Sequence, residues 1–97
     1  MKTTVTLLSG ADATGPDVLL QIPGDYCFAV AGTFGGATIG LEMLGPDGAT
    51  HIPIEDASGA IALTAAGAMI VSLPEGAYRA VVAGGSGASI FANLRSV

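Results

Sequence analysis

Charged side chains are scarce in this 97-residue chain, at 11% of all residues. A globular domain usually carries about 25%, so Ala, Gly, Ser and Thr must supply much of the surface. Long ionic side chains oppose contact because they lose hydration and rotamer freedom, and the cores of protein interfaces are depleted in charge. The scarcity of charge therefore predicts that part of the surface is buried in an assembly. The alternative is a monomer rich in Ala and Gly.

Basic residues are fewer than acidic ones: three Lys and Arg stand against eight Asp and Glu, which gives a net charge of −5. Lys2, Arg79 and Arg95 cannot form a stripe that neutralises phosphates, so we expect no nucleic-acid partner. The same acidity disfavours docking on anionic lipid. The longest apolar stretch, residues 57–74, is interrupted by Ser, Gly, Thr and Pro, and we expect no membrane partner.

Residues that carry chemistry are also few, with one cysteine and one histidine. A zinc site needs three or four converging ligands, so no metal site is predicted. Cys27 lies in an apolar run, which predicts a buried, inert thiol. His51 could pair with a carboxylate, and Ser58 is a candidate hydroxyl only because it is near in sequence. An exposed or edge-strand histidine is the favoured interpretation, and we expect no catalytic residue, no cofactor and no enzymatic activity.

Windows long enough for a helix are missing because 15 Gly and 5 Pro recur every few residues. A stable helix needs about 12 residues, so strands must carry the fold. Strands are predicted over residues 3–8, 18–22, 25–31, 37–44, 50–54, 60–63, 69–73, 77–83 and 89–94. Short strands separated by turns are typical of an all-β protein, here a small antiparallel β-sandwich, jelly-roll-like or immunoglobulin-like, of about 7 to 9 strands.

Turn signals separate these strands. Gly45-Pro46-Asp47-Gly48 has proline and glycine at positions that a type I turn favours, and the glycines of residues 32–36 suit a tight hairpin. The three strands around these two loops are predicted to form a meander. Pro74-Glu75-Gly76 and residues 84–87 are predicted to be further hairpin turns.

The length predicts one domain, residues 1–97. Residues 1–17 are expected to form an N-terminal arm, or an edge strand followed by a loop. In that loop, Asp12, Thr14 and Asp17 are typical of a solvated turn rather than a calcium site. The first residues lack the sustained apolar run of a secretory signal, so we expect synthesis in the cytoplasm.

Three segments carry a resemblance: AGTFGGATIGL (residues 31–41), LGPDGAT (residues 44–50) and LPEGAYRA (residues 73–80). Together they resemble the small virion proteins of tailed bacteriophages, the group that includes head decoration (cement) proteins and head-fibre domains. The resemblance implies a β-rich structural protein that decorates and stabilises the outer capsid surface of the virion, after synthesis in the host cytoplasm. It also implies oligomeric, commonly trimeric, contacts with further copies of itself and with the major capsid protein or another virion protein.

Six residues are the expected contact positions, in the arm, in two loops and on the last strand: Thr3, Val5, Leu7, Phe34, Pro46 and Phe91. Core burial is the competing interpretation for the two phenylalanines.

Two other functions stay open. One is a carbohydrate- or receptor-binding β-sandwich domain of a phage fibre or tail, which would need Tyr26 or Tyr78 exposed to stack on a sugar. Against it, Tyr78 is expected in the core with its hydroxyl at the rim. The other is an enzyme, which would need His51 in a pocket beside Ser58 or Asp56.

Overall fold

A computed structural model describes residues 3–56 and 59–97 of the protein. Eight of the ten strands in these residues overlap most of a predicted strand, but residues 55–56 form a strand that was not predicted, and the strand predicted over residues 60–63 covers only residues 59–60. The strands are β1 (Thr4–Ala11), β2 (Val18–Leu20), β3 (Gly24–Thr33), β4 (Thr38–Leu44), β5 (His51–Pro53), β6 (Glu55–Asp56), β7 (Gly59–Ala60), β8 (Gly67–Leu73), β9 (Gly76–Ala83) and β10 (Ser89–Ser96). The described residues contain no helix long and apolar enough to span a membrane.

Eight strands form two four-stranded antiparallel sheets, which confirms the all-β sandwich. Sheet A has the order β1-β10-β3-β8, sheet B has the order β2-β9-β4-β5, and β6 pairs with β7 beside them. Among the eight strands of sheets A and B, the outermost in sequence pair first: β1 pairs with β10, β2 with β9, β3 with β8 and β4 with β5. A long antiparallel hairpin that rolls up on itself produces this order, so the sandwich is a jelly roll rather than an immunoglobulin-like fold.

The predicted meander of β3, β4 and β5 is wrong. β3 lies in sheet A between β10 and β8, whereas β4 and β5 lie together in sheet B. The turn at residues 45–48 is a hairpin turn, as predicted, and the N–H of Gly48 donates to the carbonyl of Gly45 at 3.0 Å. The loops around residues 34–37, 74–75 and 84–88 instead carry the chain from one sheet to the other. Gly and Pro serve both kinds of connection, so turn chemistry alone does not distinguish them.

The core lies between the two sheets, where each central strand presents every second side chain. On β3, β10 and β4 the inward residues are Tyr26, Phe28, Val30, Ile90, Ala92, Leu94, Ile39 and Leu41, all buried. Burying each of the larger side chains stabilises the fold by about 1.5–3 kcal/mol. The opposite positions on the same strands therefore form the outer faces of the molecule.

Two buried tyrosines hold neighbouring connections at one end of the sandwich. Tyr26 donates its hydroxyl to the carbonyl of Ile22, and Tyr78 donates its hydroxyl to the carbonyl of Pro74 at 2.6 Å. Each bond closes a short connection between the sheets, from β2 to β3 and from β8 to β9. Burial raises the pKa of Tyr78 above its ordinary value of 10.0, so the hydroxyl stays protonated and can act as the hydrogen-bond donor. The expected core position of Tyr78 is confirmed.

Candidate interaction surface

The first three expected contact residues lie on or beside β1, which is an edge strand of sheet A paired with β10. The N–H of Thr3 donates to Oγ of Ser96 at 2.6 Å, and Val5 packs against the core. Leu7 is only 3% exposed and belongs to the core itself. Its burial removes the basis for expecting Leu7 to contact a partner.

A β-bulge explains why Leu7 is buried. The register of β1 against β10 shifts between Thr6 and Leu8, and such a shift inserts one extra residue into the strand. Leu7 and Leu8 are consequently both buried, although strict alternation would place neighbours on opposite faces. Glycine marks the second shift, where Gly10 has a φ of +65°, but no turn-forming residue marks the first.

The other three expected contact residues differ in exposure. Phe34 is half-buried and packs against the core, so its substitution would disturb packing as well as any contact. Pro46 is exposed at the tip of the β4–β5 hairpin, and Phe91 is 52% exposed on β10. Pro46 and Phe91 are therefore available to a partner, and their contact role stays a prediction.

Phe91 belongs to the outer face of sheet A, which we call face A. Alternate positions on the four strands supply its side chains: Thr4, Thr6, Ser9, Asp25, Cys27, Ala29, Ala31, Ala68, Ile70, Ser72, Phe91, Asn93 and Arg95. Asp25 and Arg95 are the charged members of this set. The largest exposed apolar side chain beside Phe91 is Ile70, at 60%. Face A is thus broad, weakly charged and partly apolar.

Small residues on β3 leave a shallow depression in face A. Its volume is about 200 Å³, and Ala29, Ala31, Phe91, Asn93 and Arg95 line it. Oδ1 of Asn93 is covered by protein atoms and accepts no hydrogen bond from the described residues. A covered acceptor without a donor costs free energy.

Cys27 lies on face A, and the expectation of a thiol in the core is wrong. Its neighbours Tyr26 and Phe28 both face the core, so alternation turns Cys27 outward. In register it lies between Arg95 on β10 and Ile70 on β8. The half-buried free thiol therefore occupies the middle of face A.

Sheet B carries an ion pair and a His–carboxylate hydrogen bond on its outer side. Arg79 and Glu42 are opposite each other on β9 and β4, with Nη2 to Oε1 at 2.7 Å. Nε2 of His51 on β5 lies 2.9 Å from Oδ1 of Asp17, which precedes β2. Arg79 and Glu42 thus satisfy each other's charge, and His51 is a hydrogen-bond partner of Asp17.

The partner of His51 is a carboxylate that sequence reasoning assigned to a solvated turn. Asp17 is 34 positions away, and the two residues come together only because β2 and β5 belong to the same sheet. In a catalytic triad, a His–carboxylate pair activates a nucleophilic hydroxyl that lies within hydrogen-bond reach of the imidazole. Ser58, the expected hydroxyl, and the side chain of Asp56 lie outside the described residues.

The conditions set for the carbohydrate-binding alternative are not met. Tyr26 and Tyr78 are both buried, so neither ring is presented to a sugar.

Within residues 3–56 and 59–97, no group of three or more His, Cys, Asp or Glu side chains is placed to hold a metal ion. Comparison of the chain with protein-family models, curated proteins and solved structures finds no match.

Proposed function

We propose that this chain is a structural protein of a tailed-bacteriophage virion that coats and stabilises the capsid surface, with face A as its contact surface. The observation that carries the proposal is the composition of face A, where Phe91 and Ile70 are exposed among side chains of which only Asp25 and Arg95 are charged. Interface cores are enriched in aromatic residues and depleted in charge. The jelly roll, which recurs in viral capsid proteins, and the resemblance of the turn segments support a place in the virion.

The mechanism that we propose is avidity. Each copy buries a modest apolar area, and symmetric repetition over the particle multiplies weak contacts into stable attachment. The partners are further copies of the chain, in trimers as the resemblance implies, and the major capsid protein or another virion protein. Sheet B, whose Arg79–Glu42 ion pair and His51–Asp17 hydrogen bond are already formed within the chain, would remain in contact with water.

Substitution of Phe91 tests this proposal. Phe91→Asp removes the exposed ring and places a charge within face A, so we expect loss of co-sedimentation with phage heads that lack their decoration protein. The far-ultraviolet circular dichroism should not change, because Phe91 is 52% exposed and lies outside the core.

Leu19→Asp is the matched control. Leu19 is 61% exposed at the edge of sheet B, so the same change there should leave binding to the heads intact. Binding by the Phe91 variant at the level of the unsubstituted chain, or equal loss in both variants, would refute the role of face A.

A further inference from the structure

The two sheets have four edge strands, β1 and β8 in sheet A and β2 and β5 in sheet B. An edge strand exposes unpaired backbone N–H and C=O groups, and proteins protect such edges with bulges, prolines, charges or short strands. Three of the four edges are protected in these ways. β1 contains two register shifts, β2 has only three residues, and β5 has three residues that include Pro53.

β8 has none of these protective features. It is seven residues long, GAMIVSL, without proline or a charged side chain. Its register against β3 runs without a shift from Gly67 to Leu73, and its other edge has no strand partner in the part of the chain that the structure describes. Ile70 and Val71 are β-branched residues that favour strands. The edge is therefore regular, uncharged and open.

We propose that β8 pairs with itself, so that two copies of the chain associate through antiparallel β8 strands about a two-fold axis. The two four-stranded sheets A would then join into one continuous sheet. With the axis at Ile70, the middle residue of the strand, all seven residues are paired. The Ile70 side chains of the two copies oppose each other, Met69 opposes Val71, and Ala68 opposes Ser72.

The side chains of β8 suit this symmetric pairing. Opposed Cβ atoms in an antiparallel pair are about 4.5–5.5 Å apart, so the two Ile70 side chains, each 60% exposed in the single chain, would cover each other. In a two-fold contact the central residue meets its own copy, and a charge there would be repelled. β8 places an aliphatic side chain at that position, which makes a second copy of the chain its fitting partner.

A two-fold contact closes after two copies, so it is separate from any contact that builds a trimer. The contact forms along the edge of sheet A, although its central side chain, Ile70, also belongs to face A, and it does not rest on the proposed virion function. Pairing over seven residues gives a small interface, and small interfaces are weak. We therefore expect association that depends on concentration.

Replacing Ile70, at the centre of the pair, by a residue of either charge tests the inference. Analytical ultracentrifugation of the unsubstituted chain should show a species of twice 9.5 kDa that grows with concentration. Ile70→Lys and Ile70→Glu should each abolish that species, because like charges then oppose each other at the axis. An equimolar mixture of the two variants should restore it. Leu19→Lys, at a site of matched exposure (61%) on sheet B, should leave it unchanged.

Hydrogen exchange of the unsubstituted chain provides a check that needs no variant. Backbone amides of β8 should exchange more slowly at high than at low protein concentration, whereas those of β2 should not change. Three results would each overturn the inference: a chain that stays at 9.5 kDa at every concentration, association that persists in both Ile70 variants, or a mixture that remains monomeric. Equal exchange of β8 amides at all concentrations would also do so.

Discussion

Single side chains determine the β4–β5 hairpin turn. Oδ1 of Asp47 accepts hydrogen bonds from the N–H groups of Ala49 and Thr50 at 3.0 and 2.9 Å, and the hydroxyl of Thr50 donates to Oδ2 at 2.6 Å. The Thr50 hydroxyl first, and then these N–H groups, lower the pKa of Asp47 from 3.8 to about 2. Pro46 fixes its own φ. This turn was predictable because four adjacent residues contain its chemistry.

The low pKa of Asp47 predicts an acid-dependent loss of stability. Because the folded-state pKa of about 2 lies below the ordinary 3.8, the carboxylate stabilises the fold fully above the ordinary value, and this stabilisation is lost as the pH falls through about 2. Asp47→Ala should therefore lower the urea midpoint at neutral pH, with a difference from the unsubstituted chain that disappears near pH 2. A difference of equal size at both pH values would show that the carboxylate charge is not the cause.

Residue placement was predictable where strict alternation holds. On β3, alternation places Tyr26 and Phe28 on one face, and both are buried, which turns Cys27 outward. The prediction for Cys27 was wrong because it was drawn from the apolar run and not from this alternation. Placement failed at Leu7, because the bulge that buries both Leu7 and Leu8 has no glycine to mark it. Asp17 and His51 could not be matched, since their contact depends on the order of strands in sheet B.

At the scale of elements, strand positions follow from local sequence and strand partners do not. Glycine and proline delimit the strands, so their approximate bounds were predictable. Sheet membership depends on distant pairs such as Gly32 with Ile90, which no local pattern encodes. The connections that cross between the sheets were therefore mistaken for hairpins.

Close packing of two crossing loops gives a prediction at this scale. Gly35 has a φ of +56°, and a Cβ there would lie 2.2 Å from the carbonyl oxygen of Ser86. The N–H of Ser86 in turn donates to the carbonyl of Gly35 at 2.9 Å. Gly84 also has a positive φ, +72°, but a Cβ there meets nothing within 4 Å. Alanine at either position should cost about 1–2 kcal/mol for the left-handed backbone, and Gly35→Ala should cost more because the two loops must separate. Urea unfolding measures both losses, and equal values would contradict the close approach of the loops.

At the scale of the whole molecule, the two outer surfaces differ in how their charges are satisfied. Sheet B pairs Arg79 with Glu42 and His51 with Asp17, whereas face A combines exposed apolar side chains with few charges. Composition alone predicted a surface suited to contact, because charge is scarce throughout the chain. The position of the weakly charged face A could not be predicted, since it is assembled from four strands that are distant in sequence.

The proposed contact between face A and the virion surface can be tested with the chain's one cysteine. Cys27 lies within face A, in register between Arg95 and Ile70, so the alkylation rate of its thiol reports directly on whether face A is covered. Mass spectrometry would compare this rate in the free chain and in the chain bound to phage heads. A Cys27→Ser, Leu19→Cys variant would report on sheet B in the same way. We predict that binding protects Cys27 and leaves the cysteine at position 19 reactive; equal reactivity of Cys27 in the free and bound chain would contradict the account.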